Sequence, residues 1–313
     1  MRKATGIPCQ KSKLEIIKTD FKRNKVLYLL FLPVLVYFII FHYIPMAGVF
    51  MAFEDYQIKK GLFGSEFVGF ANFIKFFHSQ YFFRVIKNTL LISFLGLLFS
   101  FPLPIIFALC LNEVRNKGYK KVVQTISYLP YFISVVVVVS ILADFTKSNG
   151  ALTKLAESFG WEGGALISAP EWFRTLFIGS NIWQHLGYSA IIYISALSAI
   201  DPELYDAAKI DGAGRWKQTL HITLPGIAST VVVLLILRMG SIMSVGYEKI
   251  ILMYKPVTYE TADVISSYVY RVGLIQADYS YSTAINLFNS VVNFIVLAVA
   301  NKLGKKISGT GLW

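Results

Sequence analysis

Two sets of polar residues recur at helical spacing inside otherwise apolar stretches of the sequence. Four of them fall at i, i+3, i+4 and i+7, on one face of a helix: Asn181, Gln184, His185 and Tyr188. Three asparagines repeat at i, i+3 and i+7 in a second stretch: Asn286, Asn289 and Asn293. Their amides and rings could hydrogen-bond and stack on a hydroxyl-rich ligand such as a sugar. The same side chains could instead bond neighbouring helices, and both interpretations stay open for each set.

Arg238 is the one charged residue inside these apolar stretches. An unpaired charge in the middle of a membrane helix costs at least about 3 kcal/mol, so Arg238 must face a partner or water. It could bind a substrate hydroxyl or carboxylate, or it could bond a neighbouring helix. A metal site is not expected, because the three histidines other than His185 (42, 78 and 221) belong to different stretches or loops.

The elements that carry these residues are predicted from composition. The chain has 313 residues, of which 55% are hydrophobic and 15% charged, and its mean hydropathy is +0.57. Soluble chains carry roughly 25% charged residues, and a membrane-spanning helix needs about 20 mostly apolar residues. Six stretches meet that length: 26–50, 88–112, 122–143, 175–200, 227–247 and 282–301. We therefore predict an all-α, polytopic membrane protein with six transmembrane helices.

The basic residues are unevenly distributed between the two sides that six crossings define. Segments 1–25, 113–121, 201–226 and 302–313 together hold 18 Lys+Arg and 7 acids in 72 residues, whereas the opposite segments hold 11 of each in 102 residues. The positive-inside rule assigns the first set to the cytoplasm. This predicts a cytoplasmic N-terminal segment 1–25, a transmembrane domain 26–301 and a cytoplasmic tail 302–313 in the cell membrane. The net charge of +12 then reflects topology and contact with lipid, not nucleic-acid binding.

The cytoplasmic loop 201–226 has clear local signals. Asp201 is a suitable N-cap and Pro202 a suitable first helical residue, so a short helix should run to about Ile210. Gly212 and Gly214 then redirect the chain, and a second short helix is expected from residue 215 to 221. A short amphipathic helix exposed to the cytoplasm suits docking into a groove of another protein.

This loop resembles that of the permease family of ATP-binding-cassette (ABC) importers. The family pattern E-A-A-x-x-D-G-A, followed by L-P at the next membrane entry, is matched by DAAKIDGA at 206–213 and Leu224-Pro225. Asp206 stands where the family has Glu. The resemblance implies a type I ABC importer permease fold. It also implies that one set of residues couples to an ATPase: Leu204, Asp206, Ala207, Ala208, Asp211, Gly212 and Ala213.

Further segments resemble one branch, the permeases for complex or acidic oligosaccharides of Gram-positive bacteria. They are FHYIPM at 41–46, LNEVR at 111–115, QTISYLP at 124–130, ADVI at 262–265 and GLW at 311–313. The resemblance implies a heterodimer with a second permease, two cytoplasmic ATP-binding-cassette subunits and an extracellular lipid-anchored solute-binding protein. The implied function is import of oligosaccharides, with uronic-acid-containing ones among the candidates.

Other functional classes are weighed against this one. The sequence has no G-x-x-x-x-G-K-[ST] loop, so ATP and Mg²⁺ are expected on the partner ATPase, with no cofactor in this chain. A secondary transporter would be expected to have intramembrane carboxylates for ion coupling, whereas the six stretches contain no Asp or Glu. A membrane enzyme would need a catalytic cluster, and none is apparent. A permease for peptides or amino acids remains the main alternative.

Overall fold

The computed structural model describes residues 19–313. Residues 1–18, most of the predicted cytoplasmic N-terminal segment 1–25, lie outside the described residues. The chain divides into two compact units, Met1–Phe50 and Met51–Trp313, and each is described by itself.

From Val26 to Phe50 the first unit is one helical run of almost entirely apolar residues. Helix α1 (Lys25–Phe38) continues through a π-helical turn (Ile39–Tyr43) and a short α-helical turn (Ile44–Met46). None of these residues is buried within the unit. A helix that is hydrophobic all round is typical of a membrane span or of the core of a large protein.

The second unit is almost entirely helical. Its α-helices are α2 (Ala71–Phe77), α3 (Phe82–Ser100), α4 (Pro102–Glu113), α5 (Lys117–Tyr128), α6 (Val135–Thr146), α7 (Ala151–Ser158), α8 (Pro170–Ser198), α9 (Pro202–Ile210), α10 (Arg215–Gln218), α11 (Leu224–Met239), α12 (Tyr247–Met253), α13 (Tyr259–Ala262), α14 (Ile265–Tyr270) and α15 (Tyr279–Ser308). The 3-10 helices are Ala47–Phe53, which begins in the first unit, Leu129–Phe132, Leu166–Ser168 and Pro256–Thr258, and the π-helical turns are Thr219–Thr223 and Arg271–Ile275. Two antiparallel strands of two residues each, β1 (Glu54–Asp55) and β2 (Glu66–Phe67), pair Glu54 with Phe67 and Asp55 with Glu66.

Several helices are long and apolar enough to cross a membrane. Four pass on length and composition: Lys25–Phe53, Phe82–Glu113, Arg215–Met239 and Tyr279–Ser308. The pair Lys117–Phe132 and Val135–Thr146 adds a fifth if it counts as one bent span. Helix α8, with 29 residues, is also long enough to span a bilayer at 1.5 Å per residue. By length, the described helices are thus roughly compatible with the six spans predicted from the sequence, and four of them, or five with the bent pair, are also apolar enough.

Two of the predicted stretches are not continuous helices. The stretch 122–143 breaks between α5 and α6, whose axes bend by 100°, because Pro130 and the extended residues Ile133 and Ser134 interrupt the helical ladder. The stretch 227–247 ends as a helix at Met239 and passes through an irregular loop, 240–246, before α12 begins.

Helix α8 lies at the centre of the core. Its first half packs Phe173, Leu176 and Phe177 against residues of α3, α6 and α12, and its second half packs Tyr193 and Leu197 against α4 and α11. A third cluster, built around Phe76, joins α2, α14 and α15.

Helix α5 approaches α8 closely at Gly187. A Cβ atom at this position would collide with the backbone carbonyl of Ser127. The absence of a side chain at Gly187 therefore sets the distance between the two helices.

A buried acid ties together the start of α3 and the segment after α14. The Asp263 side chain is fully buried and accepts hydrogen bonds from Arg84 (3.0 Å), Arg271 (2.7 Å) and Ser267 (2.9 Å). Burial opposes the charge on Arg271, but the hydrogen bonds and charge of Asp263 outweigh it and raise the pKa of the guanidinium. This ion-paired cluster fixes segments that are far apart in sequence.

Candidate translocation cavity and coupling loop

The second unit contains a cavity of about 850 Å³. It is enclosed by α3, α4, α8 and α11, by the loop 240–246 and by the start of α12. Ligand cavities in proteins commonly measure about 300–1,000 Å³ and combine apolar walls with a few polar groups. This cavity has both kinds of lining and is large enough to hold a small organic ligand.

The polar face of α8 borders the cavity as a set. All four predicted residues line it: Asn181, Gln184, His185 and Tyr188. Two of them also hold neighbouring structure in place. Gln184 donates from Nε2 to the carbonyl oxygen of Ile133 (3.0 Å), and the ring of Tyr188 stacks on Tyr131 with 3.6 Å between centroids. The polar face of α8 is therefore compatible with both roles considered from the sequence, ligand binding and bonding between helices. It lines a cavity, and it also supports the bend between α5 and α6.

Arg238 also lines the cavity, from α11. It lies in the last turn of α11 and not in the middle of a continuous span, because the helix ends one residue later. A cation at this place is favoured by the partial negative charge of the helix C-terminus, which lowers the cost that the sequence analysis assigned to it.

The three asparagines of α15 are placed differently. None of them is among the cavity-lining residues. Asn293 accepts from the backbone N–H of Met243 (2.9 Å) and donates to Ser244 Oγ (2.9 Å), so it holds the loop 240–246 in position. The buried amide oxygen of Asn289 has no hydrogen-bond partner among the described residues, and Asn286 is exposed.

Sequence reasoning missed several polar residues of the cavity, among them the basic residue Lys249. It lies on α12, is only 5% exposed, and donates from Nζ to Asn181 Oδ1 (2.8 Å). The charge count had assigned it to an outer loop, because the apolar stretch appeared to end at Tyr247. A lysine directly before the apolar run Ile-Ile-Leu-Met was the signal that could have revealed it.

The coupling loop folds as its sequence predicts. Helix α9 spans Pro202–Ile210, and the Asp201 side chain caps it by accepting from the Glu203 N–H (3.0 Å). Gly212 adopts a left-handed conformation with φ of 75° and ends the helix. The second predicted helix is present as α10, which leads into the π-helical turn Thr219–Thr223 and then α11.

Side-chain contacts within this loop hold its parts together. The hydroxyl groups of Tyr205 and Thr223 lie 3.0 Å apart, and Gln218 donates to the carbonyl of Ala213 (2.7 Å). Asp206 forms an exposed ion pair with Lys209 (2.8 Å).

Two large apolar side chains stand out on the loop, since Ile210 is 88% and Trp216 is 75% exposed. Leu204 is 53% exposed. These exposed apolar side chains are available for contact with a partner.

Comparison with known proteins decides the family. Residues 100–309, which include most of the cavity lining and the whole of the loop 201–226, match the family described as "Binding-protein-dependent transport system inner membrane component". The chain belongs to this family of permeases. It is thus a multi-pass inner-membrane component of a binding-protein-dependent transporter.

Relatives of known name extend over nearly the whole permease. It is 46% identical over 293 residues to Protein LplB of Bacillus subtilis, which covers 93% of this chain and 92% of that protein. It is 44% identical over 305 residues to the polygalacturonan/rhamnogalacturonan transport system permease protein YteP of the same organism, covering 97% and 95%.

A solved structure shows the same fold. The permease is similar, with 45% sequence identity and a TM-score of 0.85, to a chain of a bacterial alginate ABC transporter crystallised with an alginate pentasaccharide-bound periplasmic protein. The match covers 94% of this chain and 99% of the other. The permease therefore has the type I ABC importer fold that the loop motif implied.

Proposed function

We propose that the permease forms the translocation path of an ATP-driven importer for oligosaccharides. The observation that carries this is the 850 Å³ cavity, whose lining joins amide, imidazole, phenol and guanidinium groups. Such groups can exchange hydrogen bonds with sugar hydroxyls, and aromatic rings can pack on sugar faces. The cavity gathers the predicted residues of α8 and Arg238 around one space.

The names of similar proteins support a sugar cargo over peptides or amino acids. Two relatives or structural neighbours at 44–45% identity are named for polygalacturonan/rhamnogalacturonan transport and for import of "the acidic polysaccharide alginate". More distant relatives include a diacetylchitobiose permease and an arabinooligosaccharide permease, at 28% and 26% identity. An oligosaccharide, and an acidic one in particular, is the cargo class that agrees best with the names of these similar proteins.

The energy for import is proposed to come from partner subunits. A second permease completes the path, two cytoplasmic subunits bind ATP and Mg²⁺, and an extracellular lipid-anchored binding protein delivers the sugar. In this proposal the exposed side chains of α9 and α10 enter a groove on the ATPase, as expected for a helix that presents apolar anchors to a partner. The side of the membrane follows from the charge distribution, with the loop and both termini in the cytoplasm.

The connection between the loop and the cavity supports mechanical coupling. Helix α8 carries the cavity residue Tyr188 and runs to Ser198, three residues before the cap of α9. At 1.5 Å per residue the distance from Tyr188 to that cap is roughly 20 Å along the helix. On the other side of the loop, α11 carries Arg238 back to the cavity. A push on the loop would therefore move two walls of the cavity together, as a two-state transport cycle requires.

The test is uptake by the assembled transporter in liposomes. Both permeases, the ATPase subunits and the binding protein would be reconstituted, and ATP-dependent uptake of labelled oligosaccharides, neutral and uronic, would be compared with that of labelled peptides. We expect uptake of at least one oligosaccharide and none of the peptides. Uptake of peptides alone, or uptake that proceeds without ATP, would contradict the proposal.

A further inference from the structure

Lys249 is a buried cation at the edge of the cavity. Its side chain is 5% exposed, and its ammonium group donates to Asn181 Oδ1 at 2.8 Å and lies 5.9 Å from the centre of the Phe177 ring. No acidic side chain in residues 19–313 lies within 4 Å of this group. The ammonium group thus has no counter-ion among the described residues, and a buried charge without an opposite charge is costly.

The other charged and titratable groups that line the cavity leave it positive. Arg238 faces the same space and forms no ion pair with the described residues, and His185 lies within electrostatic reach of both cations. Glu248 is the one acid in the lining, and it is exposed and not paired with Lys249. Two basic side chains against one acid favour an anionic ligand.

We propose that Lys249 determines specificity by binding a carboxylate of an acidic oligosaccharide in the cavity. This inference rests on the proposed function and adds to it the residue that distinguishes acidic from neutral sugars. A carboxylate supplies the missing counter-ion and forms a charge-assisted hydrogen bond, which is shorter and about twice as strong as a neutral one. Neutral oligosaccharides offer no such group.

Asn181 fits this role as the hydrogen-bond partner of Lys249 within the protein. Its amide oxygen satisfies one of the three ammonium donors and holds the side chain toward the cavity wall without neutralising its charge. The two remaining donors are available to a carboxylate. The pair therefore keeps the cation positioned before the sugar arrives.

The experiment measures direct binding to the assembled transporter in nanodiscs, without the binding protein. The probes are radiolabelled trigalacturonate and its carboxyl-reduced, neutral form, and equilibrium dialysis gives the Kd of each. Lys249→Gln removes the charge and keeps a hydrogen-bonding side chain. It should weaken binding of trigalacturonate about 10- to 100-fold, the range expected for one hydrogen bond to a charged group. Binding of the neutral form should change less than about twofold.

Two further variants separate charge from structure. Lys249→Arg should restore most of the preference for the acidic sugar, whereas Lys255→Gln, which makes the same charge change outside the cavity lining, should leave both Kd values unchanged. An equal loss for both sugars in Lys249→Gln, or a wild-type transporter without preference for the acidic form, would overturn the assignment while leaving the proposed function in place. A wild-type transporter that binds neither sugar but takes up peptides would contradict both.

Discussion

Gln184 Nε2 donates a hydrogen bond to the carbonyl oxygen of Ile133, 3.0 Å away, and so ties α8 to the bend between α5 and α6. The bend leaves backbone groups without helical partners, and in a membrane bundle such groups must be satisfied by neighbouring residues. Gln184 supplies this bond while one side of it also borders the cavity. A residue selected from sequence as a ligand for substrate thus has a structural partner as well.

Replacement of Gln184 by leucine should destabilise the bend. The carbonyl of the partly buried Ile133 would lose its donor, and because an unsatisfied acceptor costs about 1–3 kcal/mol when fully buried, we expect a loss near the lower limit. The expected result is a lower melting temperature of the purified permease, followed by circular dichroism in detergent. The same substitution at the exposed Gln57 is the control and should leave the melting temperature unchanged. Equal melting temperatures for both variants would show that the hydrogen bond contributes nothing.

The contact at Gly187 predicts opposite effects for two alanines in the same helix. Gly187→Ala would force its Cβ into the Ser127 carbonyl, and such overpacking costs typically about 1–3 kcal/mol. Gly179→Ala places its Cβ in open space and gains up to about 1 kcal/mol of helix propensity. Thermal unfolding should therefore move down for the first variant and stay or move up for the second. An upward shift for both would mean that helix propensity, and not the contact with α5, dominates.

Asp263 should be the acid whose loss destabilises the bundle most clearly. Asp263→Asn leaves Arg84 and Arg271 without their counter-charge, and breaking a buried ion pair costs about 3–5 kcal/mol. We expect a value near the lower limit, because the two arginines are partly exposed.

Asp144→Asn provides the comparison for this measurement. It removes an ion pair with Lys147 that is exposed on both sides, and such pairs contribute about 0–1 kcal/mol. Chemical denaturation of the two variants in detergent measures the difference directly. A loss at Asp263 no larger than that at Asp144 would contradict the structural role of the buried cluster.

The coupling loop yields a prediction about activity. Gly212→Trp introduces a bulky side chain at a left-handed residue, where a non-glycine residue costs roughly 1–2 kcal/mol, and it should distort the end of α9. The permease should still insert, since a side chain at Gly212 meets no neighbour, but stimulation of ATP hydrolysis by the loaded binding protein should fall at least tenfold.

Gly160 offers a matched control for that variant. It also has a positive φ, 93°, and open space around it, and the sequence predicts that it lies on the opposite side of the membrane. Gly160→Trp should keep the stimulated ATPase activity. If Gly212→Trp kept it too, α9 would not be the point of contact with the ATPase.

The elements that local signals specify were predictable, and those set by long-range contacts were not. The bounds of α9 follow from Asp201 and Pro202, which act within one helical turn, and its end follows from Gly212. The bend after α5 could not be predicted from hydropathy, because the valine-rich run 135–139 makes the whole stretch apolar on average. Hydropathy also contains no information on the hydrogen bond from α8 to the carbonyl of Ile133.

The candidate site was predicted in part for the same reason. The face of α8 follows from helical periodicity alone, and the structure gathers its four members at the cavity. Lys249 lies 68 residues from Asn181, and a contact over that separation has no periodic signal. The asparagines of α15 share the same periodicity as the face of α8, yet they lie outside the cavity lining, so spacing identified a helix face without identifying what it faces.

The irregular loop between α11 and α12 has a consequence for the resting transporter. Five of its residues line the cavity: Ser241, Ile242, Ser244, Val245 and Gly246. Peptide groups outside a helix are tolerated at membrane depth where they are buried in protein or border water. The cavity is thus expected to be hydrated, and the hydroxyl groups of an entering sugar would replace hydrogen bonds to water, one for another.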